Sequence, residues 1–357
     1  MSIETETPNE EKDSVAKERI LIAYHDPCID GFTSAWVTAR SLEKARPNAI
    51  IDCLGVTYNE KSLTDLHNMI LVGMYTNLYI VDFSVSLAWI EKLQEAPTGP
   101  EIAIMILDHH KTAFEMYAEK GYVVDKDSKL FKKIPELNTA IVLVNALSGA
   151  GICAEFFGGM LPNHGETLVE YVQDYDLYQF EYSETKAINM YLRQLAKTFS
   201  AWDRAAADLE QHDTRSRIVI AGNRLLAEHE KKVEFFGKET LPVTIAGHKM
   251  LAATCPVEFT SAVGNYVAEK HQLPCLLFDM DEFTALGKTL VGEPGRFTFS
   301  LRSVGDTDVS AIAKIFGGGG HKNAAGFEVS YIEAGGILDN VFKRGAYAEE
   351  ESKDGNN

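Results

Sequence analysis

Four short stretches of this sequence concentrate residue types that bind divalent cations. They are His25-Asp26-Pro27-Cys28-Ile29-Asp30-Gly31, the single Asp82, Asp108-His109-His110, and Asp174-Tyr175-Asp176. Imidazole and carboxylate together form the donor set of Mn²⁺, and also of Zn²⁺ or Fe²⁺. Taken singly, each stretch has a plain structural explanation, because an aspartate after a strand most often caps a helix or makes a turn. Two consecutive histidines behind an aspartate are harder to explain so, since at a loop they can turn towards different partners. A fifth stretch, Gly317-Gly318-Gly319-Gly320-His321-Lys322, offers other chemistry. Glycine lets backbone N–H groups approach a phosphate, and His321 and Lys322 add donors. Arg302 can pair with a phosphate in bidentate fashion. The structural alternatives are a flexible glycine linker and an ordinary polar strand face.

These groups work only if a scaffold gathers them. Apolar runs at 20–24, 49–54, 78–81 and 102–107 read as buried strands, and helical spacing recurs at 32–42, 61–71 and 86–95. Such alternation predicts a parallel sheet covered on both faces. Polar groups that follow its strands then share the carboxyl edge, where ligands bind in open α/β folds. The first three stretches each follow a strand, and the fourth follows Leu168-Val169-Glu170-Tyr171-Val172. Residues 202–236 lack proline and place Ile218, Gly222, Leu225, Leu226, His229, Val233 and Phe236 on one stripe, which predicts a long or broken helix. Beyond it, strands are expected at 242–246, 249–253, 274–278 and 296–302. In the last of these Phe297, Phe299 and Leu301 share one face. A helix at 308–316 leads into the glycine run.

The fold class expected is therefore α/β. A catalytic domain with a parallel sheet spans 18–195, a helical linker spans 196–240, and a smaller α/β domain spans 241–345. Acidic tails at 1–17 and 346–357 are expected to be disordered. The net charge of −18 opposes tight binding of long nucleic acid. Five scattered cysteines without a CxxC pair indicate neither a zinc ribbon nor a disulfide framework. No run is long and apolar enough to span a bilayer, and the first residues lack signal-peptide character, so a cytoplasmic protein is the default expectation. The oligomeric state is not legible.

The order of these motifs resembles the DHH phosphoesterase superfamily. The His and Asp motif after the first strand, the isolated Asp82, Asp108-His109-His110 and Asp174 follow that family's sequence order. Gly318-Gly319-Gly320-His321-Lys322-Asn323-Ala324-Ala325-Gly326 matches the GGGHxxAAG motif of its DHH-associated domain. The resemblance spans roughly 18–330 and points to the oligoribonuclease and RecJ-like branch. It implies two Mn²⁺ ions, with Mg²⁺, Co²⁺ or Zn²⁺ as substitutes, that activate a water for hydrolysis of a phosphodiester. It further implies that Asp82 bridges the ions, that Asp30, His109 and Asp174 complete one site, and that His25 belongs to the other. His110 faces the substrate or leaving group, and Asp108 orients the histidine pair or ligates. Gly318, Gly319, Gly320, His321, Lys322 and Arg302 then contact substrate. Asp26, Cys28 and Asp176 are further candidate ligands. Cys28 stands where the family commonly has aspartate, and it reads equally as a thiolate for a soft metal or as a small packed residue. The C-terminal motif favours a short oligonucleotide or dinucleotide. An exopolyphosphatase or pyrophosphatase, and a degenerate binding protein, are the alternatives.

Overall fold

The computed structural model describes residues 18–95, 102–122, 129–158, 161, 165–279, 296–330 and 332–339. The expected tails at 1–17 and 346–357 lie outside them. The chain begins β1 (Arg19–His25), α1 (Ile29–Ala45), β2 (Ile50–Val56), α2 (Glu60–Gly73), β3 (Asn77–Val81), α3 (Leu87–Gln94) and β4 (Ala103–Asp108). It continues α4 (Lys111–Ala118), β5 (Lys129–Ile134), β6 (Thr139–Val144), α5 (Gly149–Phe157), α6 (Gly165–Asp176), α7 (Thr185–Leu192), α8 (Phe199–Glu210) and α9 (His212–Gly237).

The first six strands form one sheet in the order β2-β1-β3-β4-β6-β5. All neighbours are parallel except β5, which pairs antiparallel with β6 at the edge. That hairpin is not among the strands expected from the sequence. Its short strand β5 carries Lys129, Lys132 and Lys133, and it lacks the continuous apolar run of a strand buried on both faces. Strand side chains alternate between two cores. Ile20, Ile22, Tyr79 and Val81 pack under α1, α5, α6 and α8, whereas Leu21, Ala23, Leu78 and Ile80 pack under α2, α3 and α4. The crossovers change face between β1 and β3, so the carboxyl ends of these two strands border a topological switch point.

Helix α1 is clamped on nearly all sides. Trp36 is fully buried and donates its indole N–H to Asp203 Oδ1 at 2.9 Å, and Trp202 donates to Thr33 Oγ1 at 3.1 Å. A buried indole of this kind contributes about 3–5 kcal/mol, enough to fix the helix that carries Asp30.

The expected long helix at 202–236 is broken at Gln211 into α8 and α9. It is no free tether. Gly222 of α9 lies against the backbone of Ala187 in α7, and Gly237 lies against Tyr266. The remaining elements are β7 (Leu241–Ile245), β8 (His248–Thr254), α10 (Thr260–His271), β9 (Cys275–Phe278), β10 (Arg296–Arg302), α11 (Val309–Ile315), β11 (Gly319–His321) and β12 (Ala324–Ser330). A helical segment follows at 332–339. The second sheet runs β11-β12-β10-β9-β8-β7, antiparallel except between β8 and β9. Phe297, Phe299 and Leu301 share its core with α11, as their alternation predicts.

The glycine run is neither a linker nor an open loop, because its second half forms β11. A Cβ on Gly318 would stand 2.1 Å from the Gly326 carbonyl oxygen. One on Gly320, where φ is +140°, would stand 2.5 Å from that of Ala324. The glycines are required first by the close approach of β11 and β12.

Candidate metal centre

Strand register assembles the centre. Tyr24 pairs with Val81, and Val81 with Leu107, so the next residues of these strands, His25, Asp82 and Asp108, come side by side at one edge. Asp82 has a φ of +53°, a conformation that aspartate tolerates better than most residues. Its amide donates to Leu107 O at 2.9 Å, and its carboxylate is almost fully buried. Gly149 permits this, since a Cβ there would lie 2.5 Å from the Cβ of Asp82.

Donor atoms converge on Asp82 from both sides. His109 Nε2 lies 3.1 Å from Asp82 Oδ1, 3.5 Å from Asp176 Oδ2 and 4.0 Å from Asp30 Oδ2. His25 Nδ1 lies 3.4 Å from Asp82 Oδ2. Among the described residues, Asp30-Asp82-His109 and His25-Asp82-His110 each have the proximity of a cation site, and Asp82 is common to both. His25 Nδ1 and Asp82 Oδ1 are buried without a well-formed hydrogen bond. Buried polar atoms left in this way cost about 1–3 kcal/mol each unless a ligand satisfies them. Two orphaned buried donor atoms within a hard-oxygen and imidazole set fit divalent cations well.

The charge pattern agrees. Burial, and then repulsion from Asp82 and Asp176, push the Asp30 carboxyl well above the usual carboxylate range. Asp176 is also raised, first by burial. Burial alone would raise Asp82 too, but the approach of His109 and His25 and the charge on His110 pull it far down. Burial opposes a charge on His109, yet Asp82, Asp176 and Asp30 outweigh it and raise that imidazole to about 10. In the metal-free protein an imidazolium therefore occupies the most negative point of the cluster. A cation must displace its proton. Cation binding at pH 7 is expected to release at least one proton, and apparent affinity to rise about tenfold per pH unit between roughly pH 6 and 9. Titration calorimetry with Mn²⁺ in two buffers of different ionisation enthalpy measures this. Heats that do not depend on the buffer would contradict it.

Asp108 does not reach the cluster as a ligand or a catalytic group. Its Oδ1 accepts from the amides of His109 (2.7 Å) and His110 (3.3 Å) and from His110 Nδ1 (2.7 Å), and its Oδ2 accepts from Ser84 Oγ (2.6 Å). A fully engaged, buried carboxylate orients the two histidines. It fixes the proton on His110 Nδ1 and leaves Nε2 to face the cleft. Burial opposes the charge on His110, but Asp108 raises its pKa above the usual histidine value.

Of the two candidate aspartates of the fourth stretch, Asp174, the preferred one, does not approach the cluster, whereas Asp176 Oδ2 lies 3.5 Å from His109 Nε2. Both lie on helix α6, not on a loop after a strand, and residues two apart on a helix face away from each other. Asp176 turns to His109. Asp174 turns to the chain that follows and accepts from Glu181 N (2.8 Å), Tyr182 N (3.2 Å) and the Thr185 hydroxyl. Asp26 pairs with Lys197 and joins neither cation group. Cys28 precedes α1 and also joins neither. Burial and the nearby carboxylates Asp82, Asp176 and Asp30 hold its thiol well above its usual range, which disfavours a thiolate. Asp30 accepts from the Gly149 (2.7 Å) and Ala150 (3.1 Å) amides at the start of α5, contacts that only the tertiary fold reveals.

The second sheet contributes His321, which stacks on His110 at 4.9 Å and lies 5.6 Å from His109. Burial, then the charges of His110 and His109, lower it to about 3, so it is neutral. The contact is supported by Thr112 against Gly319, by Lys111 with Asp308 (2.8 Å) and by Lys314 with Glu115. Such part-exposed pairs contribute about 0–1 kcal/mol each, so the second sheet is held to the centre lightly. Lys322 pairs with Asp306 at 3.0 Å. Arg302 donates to Leu301 O (2.8 Å), Ala325 O (3.4 Å) and Ser261 Oγ (2.7 Å), and none of these partners belongs to the centre. Of the expected substrate-binding side chains, the structure brings His321 alone against the DHH histidines.

A structure described as the DHH domain of a member of the s1p family of ribosomal proteins superposes with a TM-score of 0.59 at 14% identity, covering 91% of this chain and 86% of that one. This chain has the DHH-domain fold. A crystal structure of exonuclease RecJ bound to manganese aligns more loosely, with a TM-score of 0.49 and 16% identity over 93% of this chain and 90% of that one. In sequence, an uncharacterized protein of Acanthamoeba polyphaga mimivirus is 26% identical over 327 residues, which is 88% of this chain and 68% of that protein. No protein-family model matches. No described helix of this DHH-fold chain is long and apolar enough to cross a membrane.

Proposed function

We infer that this protein is a phosphoesterase dependent on two divalent cations, Mn²⁺ foremost, and that it hydrolyses phosphodiester bonds in short oligonucleotides or dinucleotides. The observation that carries this reading is Asp82, one buried carboxylate shared by two ligand groups on opposite sides. Asp30, Asp82, His109 and Asp176 would hold one cation, and His25 with Asp82 the other. When bound, such a pair lowers the pKa of a water and offsets charge on the phosphoryl oxygens. The chain's own residues do the rest. Asp108 locks the tautomer of His110, whose free Nε2 can donate a proton to the departing oxygen. His321, kept neutral, can donate a hydrogen bond to a phosphate oxygen without adding charge. Arg302 and Lys322 take part only if their present partners are exchanged for substrate.

The substrate follows from charge and reach. A body of this acidity repels a long polyanion, whereas a short one fits between the sheet edge and His321. A panel with purified protein and Mn²⁺ tests the reading, comparing dinucleotides to pentanucleotides, long single strands and polyphosphate. Mononucleotide release is expected to fall with length. Equal rates on long strands, or phosphate release from polyphosphate alone, would overturn it.

A further inference from the structure

Tyr58 stands beside the centre with no assigned task. It follows β2, whose last residue Val56 pairs with His25, so it emerges at the same sheet edge as the cation ligands. Its ring packs on the fully buried Phe83 at 4.4 Å and meets His25 at 5.5 Å and His110 at 6.1 Å. Half of the residue's surface is nevertheless open, at 50%. Its position is braced on both sides. Thr57 N donates to Ser62 Oγ (3.0 Å), Asn59 Nδ2 to Thr57 Oγ1 (2.7 Å), and Ser62 N to Asn59 Oδ1 (2.8 Å). An aromatic ring is thus held rigidly at the mouth of the centre, backed by a second ring and open to solvent. Among the described residues, no other exposed large hydrophobic side chain makes a ring contact with a histidine of the centre.

We propose that Tyr58, backed by Phe83, is a nucleobase-stacking subsite that selects a base-bearing phosphodiester over a bare phosphate chain. A nucleobase is one sugar removed from its phosphate, and Tyr58 is one side chain removed from the histidines that face the phosphate. Every base presents a π-face, so stacking tolerates any sequence and serves an enzyme that degrades mixed short fragments. A polyphosphate has nothing to place there. This inference deepens the proposed function and rests on it for the identity of the reacting group.

The test compares wild type, Tyr58→Phe and Tyr58→Leu in the full chain with Mn²⁺. The substrates are a dinucleotide and an abasic analogue with the same sugar-phosphate backbone. The ratio of kcat/KM for base-bearing over abasic substrate is expected to fall on the order of tenfold in Tyr58→Leu, chiefly through KM, and to stay within about twofold in Tyr58→Phe. A loss in Tyr58→Leu that is equal for both substrates would make the ring a packing element and overturn the proposal, as would no loss. A second measurement separates this failure from failure of the phosphoesterase reading. Titration of the Mn²⁺-loaded protein with AMP and with ribose 5-phosphate reports base binding without turnover. Wild type should prefer AMP and Tyr58→Leu should not. Equal affinity of wild type for the two ligands overturns the subsite even if the dinucleotide is cleaved, whereas a preference for AMP without cleavage leaves the subsite standing and removes the activity.

Discussion

Replacing Asp82 by asparagine is expected to abolish binding of both proposed cations and to lower the proposed phosphodiester hydrolysis by about 10³-fold or more, equivalent to about 4 kcal/mol of transition-state stabilisation. The amide keeps the shape and the φ of +53° while removing the charge that faces His109 and His25. Asp82 is the carboxylate common to the Asp30-Asp82-His109 and His25-Asp82-His110 groups. Loss at His25 should therefore leave one tight cation, and loss at Asp82 none. Calorimetric stoichiometry with Mn²⁺ measures the difference, with far-UV circular dichroism confirming the fold. An asparagine variant that binds two Mn²⁺ ions as wild type does would remove the shared-carboxylate reading of the site.

The second large effect separates two aspartates that sit two residues apart. Asp176→Asn is expected to weaken cation binding by about 10²-fold with little change in thermal stability of the metal-free protein, because the residue is exposed and its ion-pair contact among the described residues is with His109 alone. Asp174→Ala should do the reverse. It removes the acceptor of three hydrogen bonds, from the backbone amides of Glu181 and Tyr182 and from the buried Thr185 hydroxyl, at a cost of about 2 kcal/mol. For a chain of this size that lowers Tm by roughly 2–4 °C. Melting curves and Mn²⁺ titrations of the two variants form a crossed pair of readouts. If Asp174→Ala abolished cation binding at unchanged Tm, the placement of Asp176 in the centre would be wrong.

These two aspartates also show where the sequence stops being informative. Strands that carry continuous apolar runs, such as 20–24 and 102–107, are legible because burial on both faces demands them. The candidate ligands that follow such strands, His25, Asp82 and His109, are legible as positions for the same reason. Parallel register alone carries them to a common edge, whatever the rest of the fold does. Asp176 was ambiguous because it ends a helix. Which of two carboxylates faces the centre depends on the rotation of α6 against α1 and α5, and that angle is set by packing.

Asp108 was open between orienting the histidine pair and ligating, and its hydrogen bonds to Ser84 and to the histidine amides favour the first. The glycine run looked like a phosphate loop, and steric contact with β12 makes it a strand that delivers His321. Residue types and spacing by themselves pointed to a candidate divalent-cation centre at a sheet edge, and parallel register brings His25, Asp82 and Asp108 to that edge. Tertiary structure decided which carboxylates face it, that a histidine from the second sheet joins it, and that Tyr58 stands at its mouth. Those outcomes depend on helix rotation and on contacts between residues distant in sequence, about which local pattern carries no information.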